Sequence, residues 1–216
     1  MFIKDFMTTP IISIEPEAKI FDAIDLMKEQ KIHRLPVIVN GQLVGLLTEG
    51  TIQEALPSKV TSLSVYELNY LLNKTIVSDV MITDVKIVEE NALLEDGIYL
   101  MRKNNIGVLP VTAETGEVIG IITNNDIFDA FLNVTGYNET GMRITVKVDQ
   151  DQAGILAKLT QTFSDNKISI IQVIVYRKEV SPIIVFQTTS TDQTKIKELI
   201  EAQGYHVLSI VKTNPK

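Results

Sequence analysis

Thr123 and Asp126 stand three positions apart, where the apolar run Gly120-Ile121-Ile122 gives way to the polar helix start Asn124-Asn125. A hydroxyl and a carboxylate at a strand-to-helix junction can recognise a sugar. The carboxylate accepts two hydrogen bonds from a vicinal diol such as a ribose presents, and the free N–H groups and dipole of the helix start favour anions. The same residues also read as local architecture, with Thr123 or Asn125 capping the helix and Asp126 supplying favourable first-turn charge. A second pair, His33-Arg34, stands just before Leu35-Pro36-Val37. A guanidinium can fork onto phosphate oxygens and an imidazole can donate a further bond; the plainer reading is a solvated loop pair.

These residues sit in a unit written twice. Ile3-Lys4-Asp5-Phe6-Met7 returns as Val77-Ser78-Asp79-Val80-Met81, Ile32 to Val37 returns as Ile106 to Val111, and Val44 to Thr48 returns as Ile119 to Thr123, with one insertion near Gly116. Two copies are too few for an open solenoid and imply a closed pseudo-symmetric pair. In the first copy Ile11 to Ile14 is a β-like run. Ile20, Ala23, Ile24 and Met27 follow at helical spacing. Leu35 to Val39 and Gln42 to Leu47 flank Asn40-Gly41, a strong hairpin signal because both residues tolerate positive φ. Thr48 to Leu56 completes a β-α-β-β-α unit, and the second copy repeats it with a helical stripe of Leu94, Ile98 and Met101. Between the copies, Val65, Leu68, Tyr70, Leu71 and Leu72 predict a helix or ordered arm.

The C-terminal part follows a different pattern. Arg143 to Val148 alternates like a strand, and Asp151-Gln152-Ala153-Gly154 opens a helix with the stripe Ile155, Leu156, Leu159 and Phe163. Ile168 to Tyr176 and Ile183 to Thr189 are strands. Thr191-Asp192 caps a helix over Ile196, Leu199 and Ile200, and Tyr205 to Val211 is a last strand. The order β-α-β-β-α-β is the ferredoxin-like pattern. The fold class is therefore α/β in the mixed α+β sense.

Composition narrows the function. Net charge is −7, which disfavours nucleic acid and an anionic membrane surface as partners. There is no cysteine, so disulfides, thiolate metal sites and cysteine nucleophiles are excluded. The start of the chain carries no signal-peptide pattern, and the expected compartment is the cytoplasm. The two histidines, His33 and His206, lie in different modules, and no phosphate-loop or H-E-x-x-H motif is present. Asp149-Gln150-Asp151 is a poor metal site without further ligands. No catalytic residue, metal or required cofactor is expected.

The duplicated units, the Pro-Val strands and the G-h-h-T-x-x-D ending resemble a tandem pair of CBS domains, a Bateman module, over residues 1–135. The resemblance implies a regulatory fold that binds adenosine nucleotides (AMP, ADP or ATP) in clefts between the repeats. It implies that Asp126, with Thr123, holds the ribose hydroxyls. Thr83 and Val85 match the region that cradles the base, and His33-Arg34 resembles phosphate-contacting positions. The first copy reads Thr48-Glu49-Gly50-Thr51, with a hydroxyl in place of the aspartate, so the sites are expected to be unequal. Residues 143–213 resemble an ACT domain. Asp151, Ala153, Gly154, Ile155 and Leu156 match its D-x-x-G-x-L turn, with an amino acid as the implied effector. A glycine there would allow close backbone approach, and a helix start could receive a carboxylate; an oligomerisation module is the alternative. The expected layout is repeat one at 1–58, an arm at 59–76, repeat two at 77–135, a linker at 136–142 and the ACT domain. Taken together, the chain resembles the acetoin-utilisation AcuB-like family. That implies a regulator of an unidentified protein in acetoin or central carbon metabolism, with a ligand-free scaffold as the alternative and an enzyme as a further one. The strand Ile170 to Tyr176 is largely apolar on both faces, which adds the expectation of a homodimer.

Overall fold

The computed structural model describes residues 1–55, 73–149, 152–178 and 181–214. The expected arm with Val65, Leu68, Tyr70, Leu71 and Leu72 lies outside the described residues, as do Gln150 and Asp151. The chain divides into two compact units, residues 1–127 and 128–216. Among the described residues no helix is long and apolar enough to cross a membrane.

In the first unit, α1 (Ile20–Gln30), β1 (Arg34–Val39), β2 (Gln42–Thr48) and α2 (Glu49–Ala55) build repeat one. Repeat two has β3 (Val88–Glu89), α3 (Leu94–Asn104), β4 (Val108–Thr112), β5 (Val118–Thr123) and α4 (Asn124–Val134), which continues into the second unit. β1 and β2 form an antiparallel hairpin whose turn has φ of 51° at Asn40 and 79° at Gly41, the combination that matches strand twist. β4 and β5 pair the same way, with β3 added in parallel. Ile20, Ala23 and Met27 of the α1 stripe are buried while Ile24 is half-buried. In α3 the buried residues are Leu94, Gly97 and Met101, so Gly97 takes the inward place between them and Ile98 is half-buried.

The repeats exchange their first residues. Ile3 donates its N–H to the Ala92 carbonyl, Leu94 donates to Met1, and Thr8 exchanges bonds with Ile121, all in repeat two. Reciprocally, Val77 donates to Ala18, and Ile82 exchanges bonds with Leu46 of repeat one. Val77 is fully buried within repeat one's core of Ile20, Met27, Leu35, Val37 and Leu47. Ile3 is equally buried, with its Cδ1 only 2.7 Å from where a Cβ on Gly97 would stand. Burying each such side chain contributes roughly 1.5–3 kcal/mol. The exchange also explains a difference from expectation. Ile11 to Ile14 forms no regular strand, because Thr8 is drawn to repeat two and only Ile14 pairs, in parallel with Val37.

The second unit is a four-stranded antiparallel sheet in the order β7-β8-β6-β9, from β6 (Gly141–Lys147), β7 (Ile170–Lys178), β8 (Ser181–Thr188) and β9 (His206–Thr213). Helices α5 (Ile155–Asp165) and α6 (Gln193–Glu201) lay Leu159, Phe163, Ile196 and Ile200 against Ile144, Val146, Ile184 and Phe186. The Phe163 and Phe186 rings meet at a centroid distance of 5.0 Å and a 60° tilt, a favourable aromatic geometry. Asp192 caps α6, its carboxylate accepting from the Lys195 N–H at 3.0 Å. Leu156 departs from the expected stripe and is 42% exposed. Ile155, Leu159 and Phe163 recur every four residues and fill the inward face, which leaves Leu156 at its edge.

Candidate functional site

β5 delivers Thr123 to the first turn of α4, and Asp126 closes that turn. The Asp126 Oδ2 accepts from the Thr123 N–H and from its hydroxyl, both at 2.7 Å, and the Asp126 N–H donates back to Thr123 Oγ1 at 3.4 Å. The capping role is therefore real, and it occupies one carboxylate oxygen. The other, Oδ1, accepts from the Thr8 hydroxyl at 3.2 Å. Asp126 lines a cleft of about 250 Å³. Thr8, Pro10 and Ile12 of the exchanged segment form one wall, and Ile121, Thr123, Asn125 and Asp126 another. Lys31, Ile32, His33 and Arg34, at the end of α1 and start of β1, line the cleft from repeat one.

The structure thus brings Thr123, Asp126, His33 and Arg34 together. A half-buried carboxylate lies in one cleft with an arginine, while His33 Nδ1 sits 3.0 Å from Glu49 Oε2. The equivalent turn of repeat one is closed on itself. The Thr51 hydroxyl donates to the Thr48 carbonyl at 2.9 Å and accepts from the Thr48 N–H at 3.1 Å. Thr51 brings a hydroxyl, not a carboxylate, to the place that Asp126 holds in repeat two.

Thr83 and Val85 are not brought to the Asp126 cleft. They line a separate groove of about 190 Å³ with Gln42, Val44, Gly45, Ile87 and Thr112. The segment exchange is the cause: Ile82 pairs with Leu46 of repeat one, carrying Thr83 and Val85 to that hairpin, while Thr8, Pro10 and Ile12 take the wall beside Asp126. Thr8, Pro10, Ile12, Lys31, Ile32, Ile121 and Asn125 are the lining residues that sequence reasoning missed. Their signal was the duplication itself, since Met7 and Met81 mark equivalent segments, but which hairpin each segment joins is written only in three dimensions.

In the second unit, Gly154, Ile155 and Leu156 line a groove of about 210 Å³ with Val148, Gln152, Val175 and Arg177. Ala153 is not among its lining residues, and Asp151 is not described. Gly154 is needed for its backbone, not for a close approach: its φ is 92°, and an added Cβ would meet nothing within 4 Å. Among the described residues no cluster of three or more His, Cys, Asp or Glu side chains could hold a metal.

The fold and the paired turns define a class. The chain belongs to the CBS domain family, which it matches over residues 3–58 and 77–133. An ACT domain follows over residues 142–204. The uncharacterized protein MJ1426 of Methanocaldococcus jannaschii is 34% identical over 155 residues, 61% of this chain and 92% of that protein. The inosine-5'-monophosphate dehydrogenase of Thermoplasma acidophilum is 32% identical over 117 residues, 54% of this chain, but the match spans only 21% of that enzyme. Among solved structures, a putative acetoin utilization protein (AcuB) from Vibrio cholerae aligns with a TM-score of 0.53 at 28% identity, covering 62% of this chain and 93% of that one. CBSX2 in complex with AMP aligns with a TM-score of 0.52 at 29% identity, covering 62% and 97%.

Proposed function

We propose that this protein is a non-catalytic regulatory sensor that binds an adenosine-containing nucleotide in the Asp126 cleft. One observation carries the reading: Asp126 and Arg34 line the same cleft, a carboxylate suited to a ribose diol and a fork suited to phosphate. The AMP complex of CBSX2 supports an adenosine-containing ligand, as does the CBS pair of MJ0100 in complex with 5′-methylthioadenosine and S-adenosyl-L-methionine, 25% identical with a TM-score of 0.51. The dehydrogenase relatives match only through a fifth of their length, so their activity is no guide to this chain. Calorimetric titration with AMP, ADP, ATP and GTP tests the reading. Saturable binding of adenine nucleotides without turnover supports it, and failure of all of them leaves the scaffold alternative.

The groove at Gly154, Ile155 and Leu156 supports a second effector, an amino acid whose carboxylate meets the start of α5. Association into a homodimer is part of the same proposal. β7 is an edge strand that leaves Val175 and Tyr176 49% and 46% exposed, and Phe128 and Phe131 of α4 are 62% and 67% exposed. The likeness to the Vibrio cholerae protein favours acetoin or central carbon metabolism as the regulated process.

A further inference from the structure

Helices α1 and α3 end in the same way. The residue after each last turn adopts the left-handed conformation, with φ 55° and ψ 41° at Lys31 and φ 53° and ψ 45° at Asn105. Each donates its N–H to two carbonyls of its own last turn, those of Lys28 and Met27 or of Arg102 and Met101. This ending favours glycine or asparagine, because other side chains crowd the carbonyl in the left-handed region. Asn105 is what the geometry asks for; Lys31 is not. A lysine also takes this conformation at Lys167, with φ 57°, so the backbone alone does not single out Lys31; its place in the cleft does.

Lys31 lines the Asp126 cleft together with Arg34. At the equivalent end in repeat two, Gly107 and Val108 stand where repeat one has His33 and Arg34, so Asn105 has no neighbouring cations in those two positions. The fixed charges lining the cleft are thus Lys31 and Arg34 against Asp126, a positive excess on a chain of net charge −7. An ammonium on a flexible stem complements a rigid guanidinium fork around a phosphate, following its oxygens as a mobile point charge. We propose that Lys31 is a third phosphate-binding residue beside Arg34 and His33, retained in an unfavourable backbone conformation for its charge; this rests on the nucleotide reading of the cleft.

The variants Lys31→Asn and Lys31→Arg in the full chain test it, with ADP and adenosine titrated by calorimetry and melting followed without ligand. Lys31→Asn is expected to melt roughly 1–4 °C higher, because the backbone strain is relieved. It is also expected to bind ADP about five- to twentyfold more weakly. Adenosine affinity stays unchanged, and Lys31→Arg retains ADP binding. Unchanged ADP affinity in Lys31→Asn, an equal loss for adenosine, or a lower melting temperature overturns the proposal. Inorganic tripolyphosphate separates it from the nucleotide reading. Lys31-dependent binding of tripolyphosphate without any nucleotide binding would sustain Lys31 and remove the nucleotide; no binding of either overturns both.

Discussion

The guanidinium of Arg34 lies across the bare backbone of Gly107: its Nη2 is 3.4 Å from where a Cβ there would stand. The Asn124 amide nitrogen is closer still, at 2.9 Å. Gly107 occupies the repeat-two position that His33 holds in repeat one, and its lack of a side chain leaves room for an arginine reaching from the other repeat. Gly107→Ala is therefore expected to displace Asn124 and Arg34 and to weaken nucleotide binding, though less than loss of Arg34 itself. In an Arg34→Gln background it should do nothing further, because both changes act through one group. A full additional loss in the double variant would show that Gly107 acts elsewhere.

Asp126→Ala removes the carboxylate that lines the cleft. Hydrogen bonds to a charged group contribute about 1.5–3 kcal/mol, so nucleotide affinity should fall about ten- to a hundredfold. Thr51→Ala, at the matching turn of repeat one, should change affinity little, since its hydroxyl is spent on Thr48. Equal losses measured by calorimetry would refute the assignment of the site to repeat two.

Arg34→Gln separates phosphate from base recognition. Affinity for a nucleotide should drop far more than affinity for the matching nucleoside, and the gap should narrow as salt is raised. An equal effect on both ligands would place Arg34 outside the phosphate subsite.

Removing residues 141–216 takes away the whole four-stranded sheet and its exposed edge. The truncated chain should form a weaker dimer and lose any amino-acid response, yet bind nucleotide nearly as before, because every residue lining the Asp126 cleft lies in the first unit. Light scattering at micromolar concentration checks the first point. A full-length chain that is strictly monomeric there would defeat the dimer proposal.

Local chemistry was legible in the sequence wherever near neighbours decide it. Asn40-Gly41 made its turn, Asp192 capped its helix, and the Thr123–Asp126 turn closed as the spacing implied. Periodicity located the helices but misplaced Leu156, because an apolar residue at the margin of a stripe can face either way. The site was half legible. Asp126 and Arg34 carry their chemistry in their residue types, whereas Thr8, Pro10 and Ile12 line the cleft only because their segment crosses to the other repeat. Position in the repeat points to Thr83 and Val85, but position alone does not reveal which hairpin an exchanged segment joins. A lysine after a helix is ordinary by type; what marks Lys31 is its φ together with its place in the cleft.

The crossed segments set the order in which this chain can finish folding. As repeat one leaves the ribosome its core still lacks Val77, and Ile3 has no Gly97 to rest on. Closing contacts such as Met1 to Leu94 span most of the first unit, the kind of long-range pairing that slows folding. The core of the first repeat therefore stays incomplete until residues 77–82 have been made. A break in the backbone between them would leave two fragments that each hold the other's missing piece.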